Sequence, residues 1–397
     1  MPATPHGTAS RLARFGESVF TRISRLAAEH KAVNLGQGFP NFDGPEFVKE
    51  AGRRAITDGL GQYARMYGLP EVNRAIADRF HLDHGMQVDP EREVTVTTGC
   101  TEAIAATMLG LVEPGDEVVL IEPFYDSYPA TLAMAGGTLR TVRLQAPDFR
   151  LPVEELRRAV TNRTRLILLN TPHNPTGRVF DDAELQAVAD IAQRAGCLVV
   201  SDEVYEHLWY ERRHRSIATL PGMRERTIVL SSLGKTFSLT GWKVGWAIAP
   251  PNLTAGIRAA HQFLTFCTAT PLQHATIEAL RAPESYFTSL RADYLSRREL
   301  LLQALRGAGL DPLVPEGSYF VLADHTRFGH ASDEAFCEHL IREVGVAAIP
   351  CSPFHADGAG GRDLVRFAFC KTPETIRQAG ERLKAGLYPL AAKPGSC

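Results

Sequence analysis

No stretch of the 397-residue chain approaches the ~18 consecutive apolar residues of a membrane-spanning helix, so no span is expected. An excess of charge of one sign is also missing. There are 43 Lys and Arg against 45 Asp and Glu, a formal net charge of -2. That balance leaves no electrostatic footprint for nucleic acid or an anionic membrane. The opening "MPATPHGTAS" has no apolar core of a secretory signal. The seven cysteines show no pairs at metal-ligand spacing. Cys197 in "CLVVSDEVY" and Cys370 in "VRFAFC" lie in apolar runs, as buried reduced thiols of a cytoplasmic protein would. In such a chain, Asn162-Arg163-Thr164 and Asn252-Leu253-Thr254 match the glycosylation pattern by chance.

Several motifs are incomplete. Gly234-Lys235-Thr236 is like the end of a nucleotide-binding loop, but Val229 stands where its first glycine is needed. "GQGFPN" supplies Gly36 and Gly38 without the third glycine of a dinucleotide fingerprint. His81 and His84 have no third metal ligand nearby in sequence, so a solvated helix face is expected and no metal.

What is present is alternation. "REVTVTTG", "DEVVLIEP", "TRLILLN", "CLVVSDE", "RTIVLSS" and "VGWAIAP" read as strands, with helical patterns between most of them. In "DDAELQAVADIAQRAG", Asp181 and Glu184 form a capping pair, and Leu185, Val188, Ile191, Ala192 and Ala195 share a face. Continuous apolar strands separated by helices indicate an α/β fold with a mostly parallel sheet covered on both faces. After Ala282 a long helical stretch leads to "SYFVLAD", "VGVAAIP" and "LVRFAFC", a smaller α+β unit. The expected division is an N-terminal segment, 1–45, packing with a small domain, 286–397, beside a large domain, 46–285.

In open α/β sheets ligands bind beyond the carboxyl ends of the strands. After the first strand, Gly99, Cys100 and Thr101 open a helix, whose free N–H groups suit a phosphate. Next come Tyr125, able to stack on a planar ring, and Asn174 in a "TPHNPTG" turn. Asp202 and Tyr205 follow "CLVVS"; Ser232, Lys235 and Lys243 follow "RTIVLSS". Taken singly, each also fits an ordinary turn, cap or core residue. One ligand accounts for them together. Gly99 to Thr101, Ser232 and Lys243 would hold a phosphate, Tyr125 a ring, and Asp202 a ring nitrogen. Asn174 and Tyr205 would meet a phenolic oxygen, and the Lys235 amine an aldehyde. That ligand is pyridoxal 5′-phosphate, PLP. Lys235, Asp202 and Tyr205 are the expected catalytic set, with Lys235 as proton carrier.

With "NLGQGFPNF", "TGCTEA", "EPFYDSY", "NTPHNPTG", "SDEVYEHL", "SSLGKTFSLTGWKVGW", "EGSYF" and "RFAFCK" in order, the chain resembles the fold-type-I, class I aminotransferases along nearly its whole length. It looks most like the kynurenine aminotransferase and glutamine transaminase K branch, which includes methionine and N-succinyldiaminopimelate aminotransferases. The resemblance implies that Arg366 and the Gly38 backbone clamp the substrate carboxylate. It also implies that Tyr63 reaches the cofactor of the other subunit, hence a homodimer with shared sites. Cys100, Thr101 and Cys267 depart from that branch, the last two at positions like its substrate-pocket sites. Phe20, Tyr125 and Phe266 indicate a largely apolar pocket. The expectation is amino transfer from an aromatic, methionine-like or glutamine-like amino acid to a 2-oxo acid. N-succinyldiaminopimelate transamination and cysteine-conjugate β-elimination are the alternatives within that chemistry. A PLP-binding regulator would need a DNA-binding module, for which there is neither a basic extension nor spare length.

Overall fold

The runs of Val, Ile and Leu become strands in the computed structural model, which describes residues 7–391. A two-residue strand, β1 (Val33–Asn34), comes first. The large sheet uses β2 (Val94–Thr97), β3 (Glu117–Glu122), β4 (Thr138–Arg143), β5 (Thr164–Asn170), β6 (Leu198–Asp202), β7 (Thr227–Ser232) and β8 (Gly245–Ile248). Their order is β2-β8-β7-β6-β5-β3-β4. Neighbours from β7 to β4 are parallel, and β8 is antiparallel to both β2 and β7. Two reversals at β8 leave β2 pointing the same way as β7. The carboxyl ends of β2, β3, β5, β6 and β7 therefore share one edge, and β8 starts there.

Later in the chain come β9 (Asp311–Leu313), β10 (Phe320–Asp324), β11 (Val346–Ala347), β12 (Ile349–Pro350) and β13 (Leu364–Ala368). Four of them form an antiparallel sheet in the order β12-β13-β10-β9, while β11 pairs in parallel with β1. "VGVAAIP" thus serves two sheets, with Ala348 between its halves. The N-terminal segment is tied to this region again where the Ala368 amide donates to the Leu35 carbonyl.

The expected capping box forms, with the Glu184 amide on Asp181 and the Asp181 amide on Glu184. Leu185, Val188, Ile191 and Ala192 are buried on that helix, but Ala195 is exposed because the last turn leaves the sheet. β4 was not legible as a strand. "TLRTVR" is a largely exposed sheet edge, without the continuous apolar run of its buried neighbours.

Candidate active site

A cavity of about 430 Å³ opens at the shared strand edge and is closed on the other side by Phe20, Gln37, Gly38, Phe320 and Arg366. Gly99, Cys100, Thr101, Tyr125, Asn174, Asp202, Tyr205, Ser232, Lys235 and Lys243 all line it, so chain order along the sheet has become one site.

Asp202 ends β6 directly beside Asn170 of β5, and its backbone carbonyl accepts from Asn170 Nδ2 at 2.8 Å. Its carboxylate accepts from the Tyr128 hydroxyl at 2.6 Å and from the Val204 amide at 3.3 Å, with the Cys100 Sγ 3.7 Å away. Burial raises its pKa, while Tyr128 and the other donors pull it back down. No arginine pairs with it among the described residues; its charge is met by neutral donors and, at longer range, by Lys235.

Lys235 sits in a one-turn helix, Leu233–Thr236, directly after β7. Its Nζ donates to the Gly38 carbonyl at 3.4 Å and lies 5.7 Å from the ring centres of Tyr205 and Tyr319. Burial lowers its pKa, which favours the neutral amine a nucleophile needs. The Tyr205 phenol is pushed well up by burial and stays a hydrogen donor.

At the far end, the helix Gly99–Leu111 begins without a side-chain cap, leaving first-turn amides for an anion. Gly99 has φ +75°, and a Cβ there would lie 3.0 Å from Lys243 Nζ. Only glycine keeps this cradle open with the cation over it. Lys243 reaches it because β8 runs antiparallel and begins two residues later. An amine, a buried carboxylate and an anion cradle thus surround one cavity, and these residues fit PLP.

Arg366 is 1% exposed and lies on β13 between β12 and β10, not on a sheet edge. It donates to Asn174 Oδ1 at 2.8 Å and to the Gly36 carbonyl at 3.0 Å, and stacks 4.0 Å above the Phe320 ring. Its Nε is buried with no partner, so it can donate to one more acceptor. At Gly38 a Cβ would come within 2.8 Å of Phe320, so the backbone can approach this wall only without a side chain. Phe20 packs on Arg366 and Phe354 and borders the cavity.

One expected residue is not brought there. Phe266, expected in the substrate pocket, follows the helix Pro251–Leu264 with φ +66° and turns outward, 44% exposed. It meets Tyr63, 85% exposed, edge-on at 5.5 Å between ring centres. Neither lines the cavity of its own chain, nor does Cys267. Tyr128 and Asn170, which hold Asp202, were missed. The only signal for Tyr128 was a second tyrosine one helical turn after Tyr125 in "FYDSY". The His81–His84 face divides. His81 is exposed, while the His84 ring packs inward, with ligand atoms of His84, Glu203 and His214 within 4.8 Å of one another. Glu203 is already bonded by Ser201, Ser216 and His214, which accounts for it as a buried polar network.

Residues 30–383 match the family model of the class I and II aminotransferases. The chain belongs to that family, and is a PLP-dependent enzyme acting on amino and 2-oxo acids. It is 46% identical to the probable N-succinyldiaminopimelate aminotransferase DapC of Mycobacterium tuberculosis, over 98% of this chain and all of that one. It is 41% identical to Escherichia coli methionine aminotransferase, over 94% and 97% of the two chains. The solved M. tuberculosis N-succinyldiaminopimelate aminotransferase superposes with a TM-score of 0.94, at 46% identity, covering 96% of this chain and 100% of that one. Thermus thermophilus aspartate aminotransferase with maleate gives a TM-score of 0.89 at 34% identity, covering 96% and 100%.

Proposed function

We propose that this aminotransferase takes an amino acid with a neutral, partly apolar side chain and passes its amino group to a 2-oxo acid at the cavity described. The observation that carries this is Arg366. It is the one arginine lining the cavity among the described residues, it has a buried free Nε, and it shares the cavity with the Lys235 amine. A carboxylate held there by two parallel bonds leaves no second arginine for a side-chain carboxylate. Phe20 and Tyr125 supply apolar wall for the side chain.

PLP supplies an aldehyde that takes up the amino group and a ring that draws electrons from the substrate Cα–H bond. The chain's own residues do the rest. Asp202, oriented by Tyr128, would keep a proton on the ring nitrogen. Asn174 accepts from Arg366 at its Oδ1, and its Nδ2 and the Tyr205 hydroxyl would be the donors to the phenolic oxygen. The amides of Cys100 and Thr101, with Ser232 and Lys243, hold the phosphate. Lys235 carries the proton from the substrate Cα, and the buried walls keep competing water out.

The active form is a homodimer. Tyr63, Phe263 and Phe266 are large exposed aromatics, and a partner surface would cover them and bring Tyr63 to its cofactor. Among the described residues, the N-terminal segment and residues 286–391 form one domain through β1–β11, and 46–285 the other. The described thiols, unpaired and mostly buried, suit a cytoplasmic compartment.

A panel of amino acids and 2-oxo acids tests the substrate class. Turnover of methionine, glutamine or aromatic donors above aspartate is expected, and a clear preference for aspartate would overturn it. The 46% identity to the M. tuberculosis relative supports a second reading, N-succinyldiaminopimelate as donor, which the same panel decides. Pyruvate and thiol released from a cysteine conjugate would instead identify the β-elimination reading.

A further inference from the structure

Five charged side chains line the cavity: Asp126, Asp202, Lys235, Lys243 and Arg366. Four have tasks in the reaction. Asp126 has none, and its position rules out the common structural one. It precedes the helix Ser127–Ala135, yet its own backbone is helical (φ -57°, ψ -24°) and its carboxylate caps no amide of the first turn. The amides of Asp126 and Ser127 lie near enough to favour its charge, but no hydrogen bond of ordinary geometry joins them. Burial raises its pKa, and the nearby Arg366 charge opposes that rise. Among the described residues no side chain pairs with it, although it is half-buried. A carboxylate in that state has open acceptor positions facing the cavity.

If Arg366 takes the substrate carboxylate and Lys235 works at Cα, the remaining wall open to the side chain includes Phe20, Tyr125 and Asp126. We propose that Asp126 is a specificity-determining residue that accepts a hydrogen bond from an N–H on the substrate side chain. Carboxamide and aromatic amine side chains are favoured by it, and side-chain carboxylates placed against it are disfavoured. The attraction and the rejection have one source, an anionic acceptor in a partly desolvated wall. This rests on the substrate orientation given above.

The test uses holoenzyme and single-turnover half-reactions, followed by cofactor absorbance, with glutamine, methionine and glutamate. In Asp126→Ala the glutamine-to-methionine efficiency ratio falls roughly 10- to 100-fold, the range for a hydrogen bond to a charged group. The change appears in the apparent Kd more than in the limiting rate. In Asp126→Asn the glutamate-to-glutamine ratio rises, because the like charge is gone while the shape is kept. Equal losses on all three amino acids, or unchanged ratios, would reduce Asp126 to a structural residue. Should the alanine variant not fold, the isosteric asparagine variant decides through the glutamate ratio alone. A wild-type enzyme that reacts with none of the three sinks the substrate class itself, and this proposal with it.

Discussion

A carboxylate at the end of an apolar strand must find donors, a cation or a proton. Asp202 has Tyr128, Val204 and Cys100 on its protein side, which leaves its remaining lone pairs for the cavity. Asp202→Asn keeps the shape and loses the charge, so it should bind PLP yet lose roughly 100- to 10,000-fold in kcat, the usual range for a proton-handling group. Stopped-flow half-reactions check this, and wild-type rates would return Asp202 to the rank of a turn residue. Tyr128→Phe removes one hydrogen bond to that carboxylate and should lower kcat by roughly tenfold. Absorbance against pH should shift with it, which a loss of packing alone would not produce. The sequence pointed to Asp202 through its place after "CLVVS". It gave no comparable mark for Tyr128, because a tyrosine on an apolar helix face is ordinarily core, and only tertiary packing turns its hydroxyl toward Asp202.

At the scale of elements, two pieces of chain hold the substrate side of the site. β13 presents Arg366 from the middle of its sheet. The alternation in "DLVRFAFC" set Arg366 opposite Val365 and Phe367, and both faces proved to be covered. Sequence alone left a solvated edge position open, since the pairing with β10 and β12 comes from distant segments. Arg366→Ala should cost roughly 2–4 kcal/mol, or about 30- to 1000-fold in kcat/KM, for amino acid and keto acid alike. Retained cofactor absorbance must accompany the loss; a variant that simply sheds PLP contradicts the role. The other piece is the turn after β5. Its His173 bonds Thr176 at 2.8 Å, and burial holds its pKa down to about 3, against 6.5 when free. The folded state keeps it neutral while the unfolded chain binds a proton, so stability falls as pH drops from about 6.5 toward 3. His173→Gln should flatten that acid limb of a Tm-against-pH curve. An unchanged slope would mean other groups set it. β4 shows the opposite limit of legibility, since an exposed edge strand needs no apolar run and leaves little pattern to read.

For the whole molecule, the fold brings together residues that are distant in sequence, such as Gly36 and Arg366, 330 positions apart. The parallel sheet was legible because each buried strand is a continuous apolar run. The outward turn of Phe266 was not, because a left-handed backbone at a phenylalanine has no sequence signature. Its exposure beside Tyr63 carries the dimer proposal. Mixed subunits test it. Chains with Lys235→Ala and chains with Tyr63→Ala should each be impaired, and refolding them together should restore activity, because one site per hybrid keeps both residues. No recovery on mixing would argue that Tyr63 serves its own subunit or none. The most direct test of the account is to reduce the holoenzyme with borohydride and sequence the labelled peptide. PLP fixed to Lys235 in "SSLGKTFSL" is the expected result, while label on Lys243, or none on the chain, would contradict the assignment of this cavity.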